Sequence, residues 1–139
     1  MPTSKIEDVV QLLQAQADGY KTLIPLPDDD AIRYVEAKRG LVLPPDYKYL
    51  VQNAGNIALS KELLYLRDDE IGRGNLLVAI HSARQAGVAA DWLPICHDNG
   101  DYYCLLPDGS VQLWSHDGMF EGRWLDLADW VVDSFIGGN

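Results

Sequence analysis

The side chains best able to do chemistry lie between residues 97 and 117, where His97, Asp98, Asp101, His116 and Asp117 gather around two turn sequences, Asp98-Asn99-Gly100 and His116-Asp117-Gly118. Two imidazoles and three carboxylates could hold a divalent cation, because neutral imidazole nitrogen and carboxylate oxygen are ligands that such ions take. The same five residues could form an acidic contact rim for a basic partner. They could also be turn chemistry alone, since turn aspartates ordinarily bond their own backbone and a turn histidine is ordinarily solvated or hydrogen-bonded. The sequence leaves all three readings open.

Whether these residues meet depends on the strands between the turns. Trp92 to Asp117 reads as three short apolar runs separated by Asp98-Asn99-Gly100 and Pro107-Asp108-Gly109. Asn-Gly and Asp-Gly between β-prone runs signal hairpins, because both central residues must tolerate positive φ. An antiparallel meander follows. If Asn99-Gly100 is a two-residue loop, Asp98 faces Asp101, Cys96 faces Tyr103 and Ile95 faces Cys104. If Asp108-Gly109 is another, Leu106 faces Val111 and Cys104 faces Leu113. One face then carries Leu93, Ile95, Cys104, Leu106, Val111 and Leu113 and is the expected core face. The other carries Cys96, Tyr103, Leu105, Gln112 and Trp114, and is either covered by the rest of the chain or left as an aromatic surface.

In a meander the first and third turns share one edge of the sheet, so His97, Asp98 and Asp101 stand beside His116 and Asp117, with Asp108 at the opposite edge. Alternate strands lie about 10 Å apart, close enough for side chains to converge. Asp98, Asp101, His116 and Asp117, with Tyr103 and Trp114 from the mixed face, are therefore the expected partner-binding residues. No catalytic, cofactor-binding or metal residues are assigned.

Other constellations are missing. The chain has no Gly-x-Ser-x-Gly, phosphate-binding P-loop, His-Glu-x-x-His or Cys-x-x-Cys. Gly72-Arg73-Gly74 reads as a flexible loop. Cys96 and His97 do not make a nucleophile pair, since adjacent strand residues point to opposite faces. Cys96 and Cys104 fall on opposite faces of the expected sheet, which argues against a disulfide and for two reduced thiols.

The rest of the chain supplies helices. Ser4-Lys5-Ile6-Glu7 has capping-box spacing, and Ile6, Val9, Val10 and Leu13 follow the helical period, which predicts a helix over about 4–18. Asp28, Asp29 and Asp30 open a second helix, Lys38 and Arg39 complement its last turn, and Gly40 caps it. Pro45 begins a third, with Tyr47, Leu50, Val51 and Ala54 on one stripe and an end at Asn53-Ala54-Gly55. Ile57 to Leu59 and Leu63 to Leu66 read as short strands. Leu76 to Ala86 reads as a helix with Leu76, Leu77, Ile80 and Ala83 inward. Met119 to Trp124 is a fourth strand of the meander. Asp126 caps a terminal helix that carries Leu127, Trp130, Val131, Ser134 and Phe135 and stops at Gly137-Gly138. The expected fold is α+β: one domain over 1–139, with a mostly antiparallel sheet packed by N-terminal and C-terminal helices.

A chain of 139 residues buries roughly two-thirds of its unfolded surface, enough for a core without metal or disulfide staples. No run approaches the roughly 18 apolar residues of a membrane span, and Met-Pro-Thr-Ser-Lys lacks a signal peptide's apolar segment, so the expected compartment is the cytoplasm. Charge is uneven. Residues 1–90 hold 12 acids and 10 bases, whereas residues 91–139 hold nine acids and only Arg123. A potential of that sign repels nucleic acid and anionic membranes and speeds encounter with a basic protein.

The order Glu36, Gly40, Leu43, Pro44, Asp46, Tyr47, Leu50, Asn53, Gly55, then Leu93, Pro94, Asn99, Gly100, Asp101, Val111, His116, Asp117, Trp130 and Phe135 resembles the SUKH superfamily over about residues 28–136. That superfamily includes fungal cell-wall synthesis regulators and bacterial proteins that neutralise polymorphic toxins. The chain departs from it in having Asn53-Ala54-Gly55 where Asn-Gly-Gly is common. It also has a bulkier, more charged loop, Cys96 to Asp101, where a glycine-rich one is usual. The resemblance implies a non-enzymatic binding protein, monomeric or weakly dimeric, that occludes a toxin domain of nuclease or deaminase type and uses no cofactor. The alternatives are an intracellular scaffold or regulator of the same fold without a toxin, and a small metal-dependent hydrolase built on the His97/Asp117 edge.

Overall fold

In the computed structural model, residues 5–17, 19–118 and 122–138 are described. The fold is α+β. Helices α1 (Lys5–Ala15), α2 (Asp29–Arg39), α3 (Pro45–Ala54) and α4 (Leu76–Ala86) precede strands β1 (Leu93–Asp98), β2 (Asp101–Leu105), β3 (Val111–Trp114) and β4 (Arg123–Trp124). A short helix, α5 (Leu127–Trp130), runs on into a π-helical turn over Val131–Ile136. The sheet is an antiparallel meander in the order β1-β2-β3-β4. The expected capping box at Ser4 and the start of the Met119 strand lie outside the described residues.

Local signals set the helices. The Asp28 side chain accepts the Ala31 N–H at 2.8 Å to open α2. At its end Gly40 takes φ 61°, and the N–H groups of Gly40 and Leu41 both reach the Glu36 carbonyl, closing the helix in a left-handed cap. Pro45 occupies the first turn of α3, where its missing N–H costs nothing. The apolar stripes face inward as the spacing predicts: Ile6, Val9, Val10 and Leu13 on α1, Tyr47, Leu50, Val51 and Ala54 on α3, and Leu76, Leu77, Ile80 and Ala83 on α4. The start of α4 is fixed by Asn75, whose side-chain oxygen accepts the Leu77 N–H at 2.9 Å while its amide donates to the Asp69 carbonyl at 2.9 Å. The Gly72-Arg73-Gly74 loop is correspondingly packed: a Cβ on Gly72 would lie 2.1 Å from the Tyr65 hydroxyl.

The first hairpin forms as its sequence demands, with Asn99 at φ 51°, Gly100 at φ 88° and the pairs Asp98↔Asp101 and Cys96↔Tyr103. Past Cys96 the ladder shifts by one residue, so that Pro94, not Ile95, pairs with Cys104. The bulge frees the Ile95 carbonyl to accept the Leu64 N–H at 3.1 Å from outside the sheet.

The second hairpin corrects the expected register. Leu105 pairs with Val111 and Tyr103 with Leu113, one residue away from the Leu106/Val111 alignment. The cause is Pro107. Its fixed φ suits the second position of a type I turn, and among the loop residues only Gly109, at φ 89°, is left-handed. Gly109 N–H therefore bonds the Leu106 carbonyl at 2.9 Å and Leu106 N–H bonds the Ser110 carbonyl at 2.8 Å, closing a three-residue loop with a glycine bulge.

That slip exchanges the two faces of β2, while Val111 and Leu113 of β3 keep the core side expected of them. Cys96, Tyr103, Leu105, Val111 and Leu113 face the main core, where Tyr103 lies between Trp124 and Trp130 at ring-centroid distances of 5.8 and 5.5 Å, and Trp130 meets Phe135 at 5.9 Å. Cys104 instead faces a smaller cluster with Ala83 of α4 and Val88 just beyond its end, joined by Tyr102, Leu106 and Trp114. The segments 57–59 and 63–66 are not ladder strands. They make single bridges, Lys21↔Ile57, Ala58↔Glu62 and Tyr65↔Asn75. Their backbone groups go to scattered partners, as when Ala58 N–H reaches the Tyr20 carbonyl and Tyr65 N–H the Gly74 carbonyl.

Candidate functional site

The meander brings the first and third turns to one edge. There the Asp101 carboxylate accepts from the His116 backbone N–H at 3.1 Å and lies 2.6 Å from His116 Nδ1 through the same oxygen. A Cβ on Gly100 would lie 3.5 Å from that imidazole nitrogen, an ordinary contact, so it is the φ of 88° and not space that calls for glycine there. The Ser115 hydroxyl donates to Asp117. Hydrogen bonds from the His116 backbone, then its side chain, hold the Asp101 carboxyl below the usual carboxylate range, and the Asp101 carboxylate in turn raises His116 above its ordinary 6.5. Turn chemistry therefore accounts for part of this cluster. It leaves Asp98, His116 and Asp117 exposed, with Asp101 half-buried beside them.

The other residues expected to join the cluster divide. His97 and Asp98 line a polar hollow of about 560 Å³ with Glu62, Tyr65 and Arg73, on the side of the 62–74 segment. Among the described residues no three His, Cys, Asp or Glu side chains come together as a cation would need. Trp114 is half-buried, with its ring 6.0 Å from that of Tyr102. Tyr103 is only 6% exposed and points into the main core, a correction that follows from the one-residue slip at Pro107 and removes it from any contact surface. The buried thiols of Cys96 and Cys104 are free and lie on opposite faces, and burial pushes each up to about 12. Such thiols stay protonated at neutral pH and make poor nucleophiles.

A second concave feature lies at the other end of the sheet, where β1 begins and β2 ends. It is a cleft of about 590 Å³ between the entry to α3, α4, the 90–94 segment and the 105–109 turn. Leu105 and Ile80 close it from within, Pro44, Pro45 and Pro107 wall it, and Val42 stands on its rim. No sequence pattern announces it, because it is assembled from five separate stretches. The one available signal was Val42 itself, an aliphatic residue between two inward-facing leucines.

Among the described residues no helix is long and apolar enough to cross a membrane. A family model named SUKH_5 and described as SMI1-KNR4 cell-wall matches residues 6–136. A crystal structure of a protein from Pseudomonas syringae pv. tomato is similar to this chain with a TM-score of 0.81 and 27% sequence identity, covering 94% of this chain and 98% of that one. No curated protein matches the chain.

Proposed function

The chain belongs to the SUKH_5 family, described as SMI1-KNR4 cell-wall, and from that premise we propose that it works by stoichiometric protein binding, without catalysis, as an immunity protein that neutralises a bacterial toxin domain of nuclease or deaminase type. The observation that carries this reading is the turn edge, which presents Asp98, Asp101 and Asp117 with His116 around a fixed hydrogen-bonded frame. Toxins that act on nucleic acid need basic surfaces, and an acidic rim can occupy such a surface in competition with the phosphate backbone. Charges so exposed act mainly on the rate of encounter, which salt screens.

The test is capture from the source cell by the tagged protein at low and high salt, followed by assay of the captured protein on DNA, RNA and free nucleosides. A roughly equimolar basic partner, lost at high salt and inhibited by the parent protein, supports the reading. Reversing Asp98 to Lys should lower the association rate and leave the urea midpoint nearly unchanged. Unchanged affinity at low salt discards this edge as the contact surface. The family's description as cell-wall supports a second reading, an intracellular scaffold or regulator of the same fold without a toxin, and a captured partner with no activity on nucleic acid would favour it.

A further inference from the structure

The cleft beside α3 has a chemistry unlike that of the turn edge. Its interior is aliphatic, with the half-buried faces of Leu41, Leu93 and Leu106 over the buried Ile80 and Leu105, and Trp92 stands at one side. Four of its lining residues are prolines, Pro44, Pro45, Pro94 and Pro107, whose fixed φ leaves little backbone freedom to lose on binding. A volume of about 590 Å³ falls within the range of about 300–1,000 Å³ typical of ligand sites. Val42 is 83% exposed on the rim. The cleft therefore has an apolar lip as well as an apolar floor, which is how a surface that meets another chain differs from one that merely encloses a cavity.

Its charges narrow the occupant. Asp126 is paired with Lys5 at 2.9 Å, and the Arg84 guanidinium, which donates to the Ala90 carbonyl at 3.3 Å, is a single cation set against the two further carboxylates of the lining. Asp46 and Asp91, which also line the cleft, make no ion pair among the described residues. Two carboxylates beside a low-dielectric wall focus a negative field across its mouth. We infer that this cleft is a peptide-docking site, which takes an extended segment of a partner protein carrying a bulky apolar side chain flanked by lysine or arginine. The apolar side chain fills the space over Ile80 and Leu105, and the flanking cations reach Asp46 and Asp91. The inference does not depend on the turn edge, which lies at the opposite end of the strands and would remain a separate contact.

The test uses three synthetic peptides, acetylated and amidated: Lys-Leu-Phe-Leu-Lys, its acidic counterpart Glu-Leu-Phe-Leu-Glu, and the apolar-deleted Lys-Ser-Gly-Ser-Lys. Each is titrated into the 15N-labelled protein and followed through backbone amides and the Trp92 indole. The lysine-leucine peptide is expected to shift signals at Val42, Asp46, Asp91 and Trp92 and to bind about fivefold or more tightly than the acidic peptide at low salt, the ratio that two exposed charge pairs supply. The double variant Asp46→Asn/Asp91→Asn should abolish that ratio, and Val42→Ser should weaken the lysine-leucine peptide while preserving the ratio. All three positions are exposed, and unchanged urea midpoints establish that the variants fold. Equal binding of the basic and acidic peptides, shifts confined to the Asp98–His116 edge, or no shifts at all would overturn the inference. So would self-association of the parent that Val42→Ser abolishes, since a second copy would then be the occupant.

Discussion

Replacing Glu36 with Ala should destabilise the fold by about 2–3 kcal/mol, although the residue is half-exposed near the end of α2. Its carboxylate accepts the Leu43 backbone N–H at 2.8 Å and lies 3.4 Å from Lys48 Nζ. Leu43 is fully buried, so an alanine at position 36 leaves a buried donor without an acceptor. A hydrogen bond to a charged group contributes about 1.5–3 kcal/mol. The Lys48 pair, with side chains 34% and 20% exposed, adds only about 0.2–1 kcal/mol after solvent screening. The two parts separate by substitution. Glu36→Gln keeps an acceptor and should cost under about 1 kcal/mol, as should Lys48→Met. Urea unfolding followed by tryptophan fluorescence, with the denaturant slope unchanged, gives each value. A Glu36→Ala loss below about 0.5 kcal/mol would refute the assignment, and a Glu36→Gln loss equal to it would mean that charge, not acceptance, holds the turn. The same bond positions residues 41–44, one lip of the cleft, so Glu36→Ala should also weaken the lysine-leucine peptide while Lys48→Met leaves it unchanged.

The slipped second hairpin predicts that Leu105→Ala costs about 2–5 kcal/mol, because Leu105 is buried in the main core, while the half-exposed Leu106→Ala costs at least about 1 kcal/mol less; equal or reversed losses in urea unfolding would restore the two-residue loop. His116 should titrate above 6.5 by NMR and fall back toward it in Asp101→Asn, and an unmoved midpoint would exclude the carboxylate as the cause. Because His116 is raised in the fold, its stabilising contribution is full below pH 6.5 and is lost as pH rises through the folded value. Asp101, lowered in the fold, contributes above about pH 3.8 and loses its contribution as pH falls through its own folded value. The bond between them is therefore firmest in the weakly acid range. Loss of the imidazolium charge above the raised His116 value should make a basic partner associate faster at pH 8 than at pH 6 at equal salt.

The helices were legible because their determinants are local. A cap, a dipole-matched first turn and a 3.6-residue stripe all lie within a dozen residues, and Asp28 through Gly40 carries every one. The shared edge of the first and third turns was legible too, since it follows from meander parity whatever the detailed register. Its contents were less so. Tyr103 was assigned to the surface through a single inference about Pro107-Asp108-Gly109, where the dipeptide Asp-Gly points to a two-residue loop and the preceding proline to a three-residue one. The proline prevails because its ring fixes φ, whereas aspartate at positive φ is only tolerated. Residues 57–66 failed for a different reason. Ile57, Leu63, Leu64 and Leu66 are buried, but two of the segment's hydrogen-bond partners, Tyr20 and Ile95, are far away in sequence, and no local pattern encodes them. The cleft shares that obscurity, since each of its five stretches has its own local explanation and only their meeting makes a site.

The acidic excess of the last third looks different once its partners are placed. Asp108 is paired with Arg123, Asp126 and Asp129 with Lys5, and Asp133 accepts the Trp124 indole N–H at 2.8 Å. These four carboxylates tie β4 and the terminal helix to the rest of the chain, so their work is within the fold. Among the described residues, the other acids stand at two places: Asp98, Asp101 and Asp117 on the turn edge, where Asp101 is paired with His116 and Asp117 accepts from Ser115, and Asp91 with Asp46 from α3 at the other end of the strands. Net charge alone would describe a diffuse field that attracts any basic surface. Two separated foci, one on a polar hydrogen-bonded rim and one at an apolar cleft, would under the proposed reading select a partner whose cations are spaced to match and whose apolar side chain falls between only one pair of them. In the proposed complexes specificity would come from where these exposed acids lie relative to apolar surface, and the size of the excess would set only how fast a partner arrives.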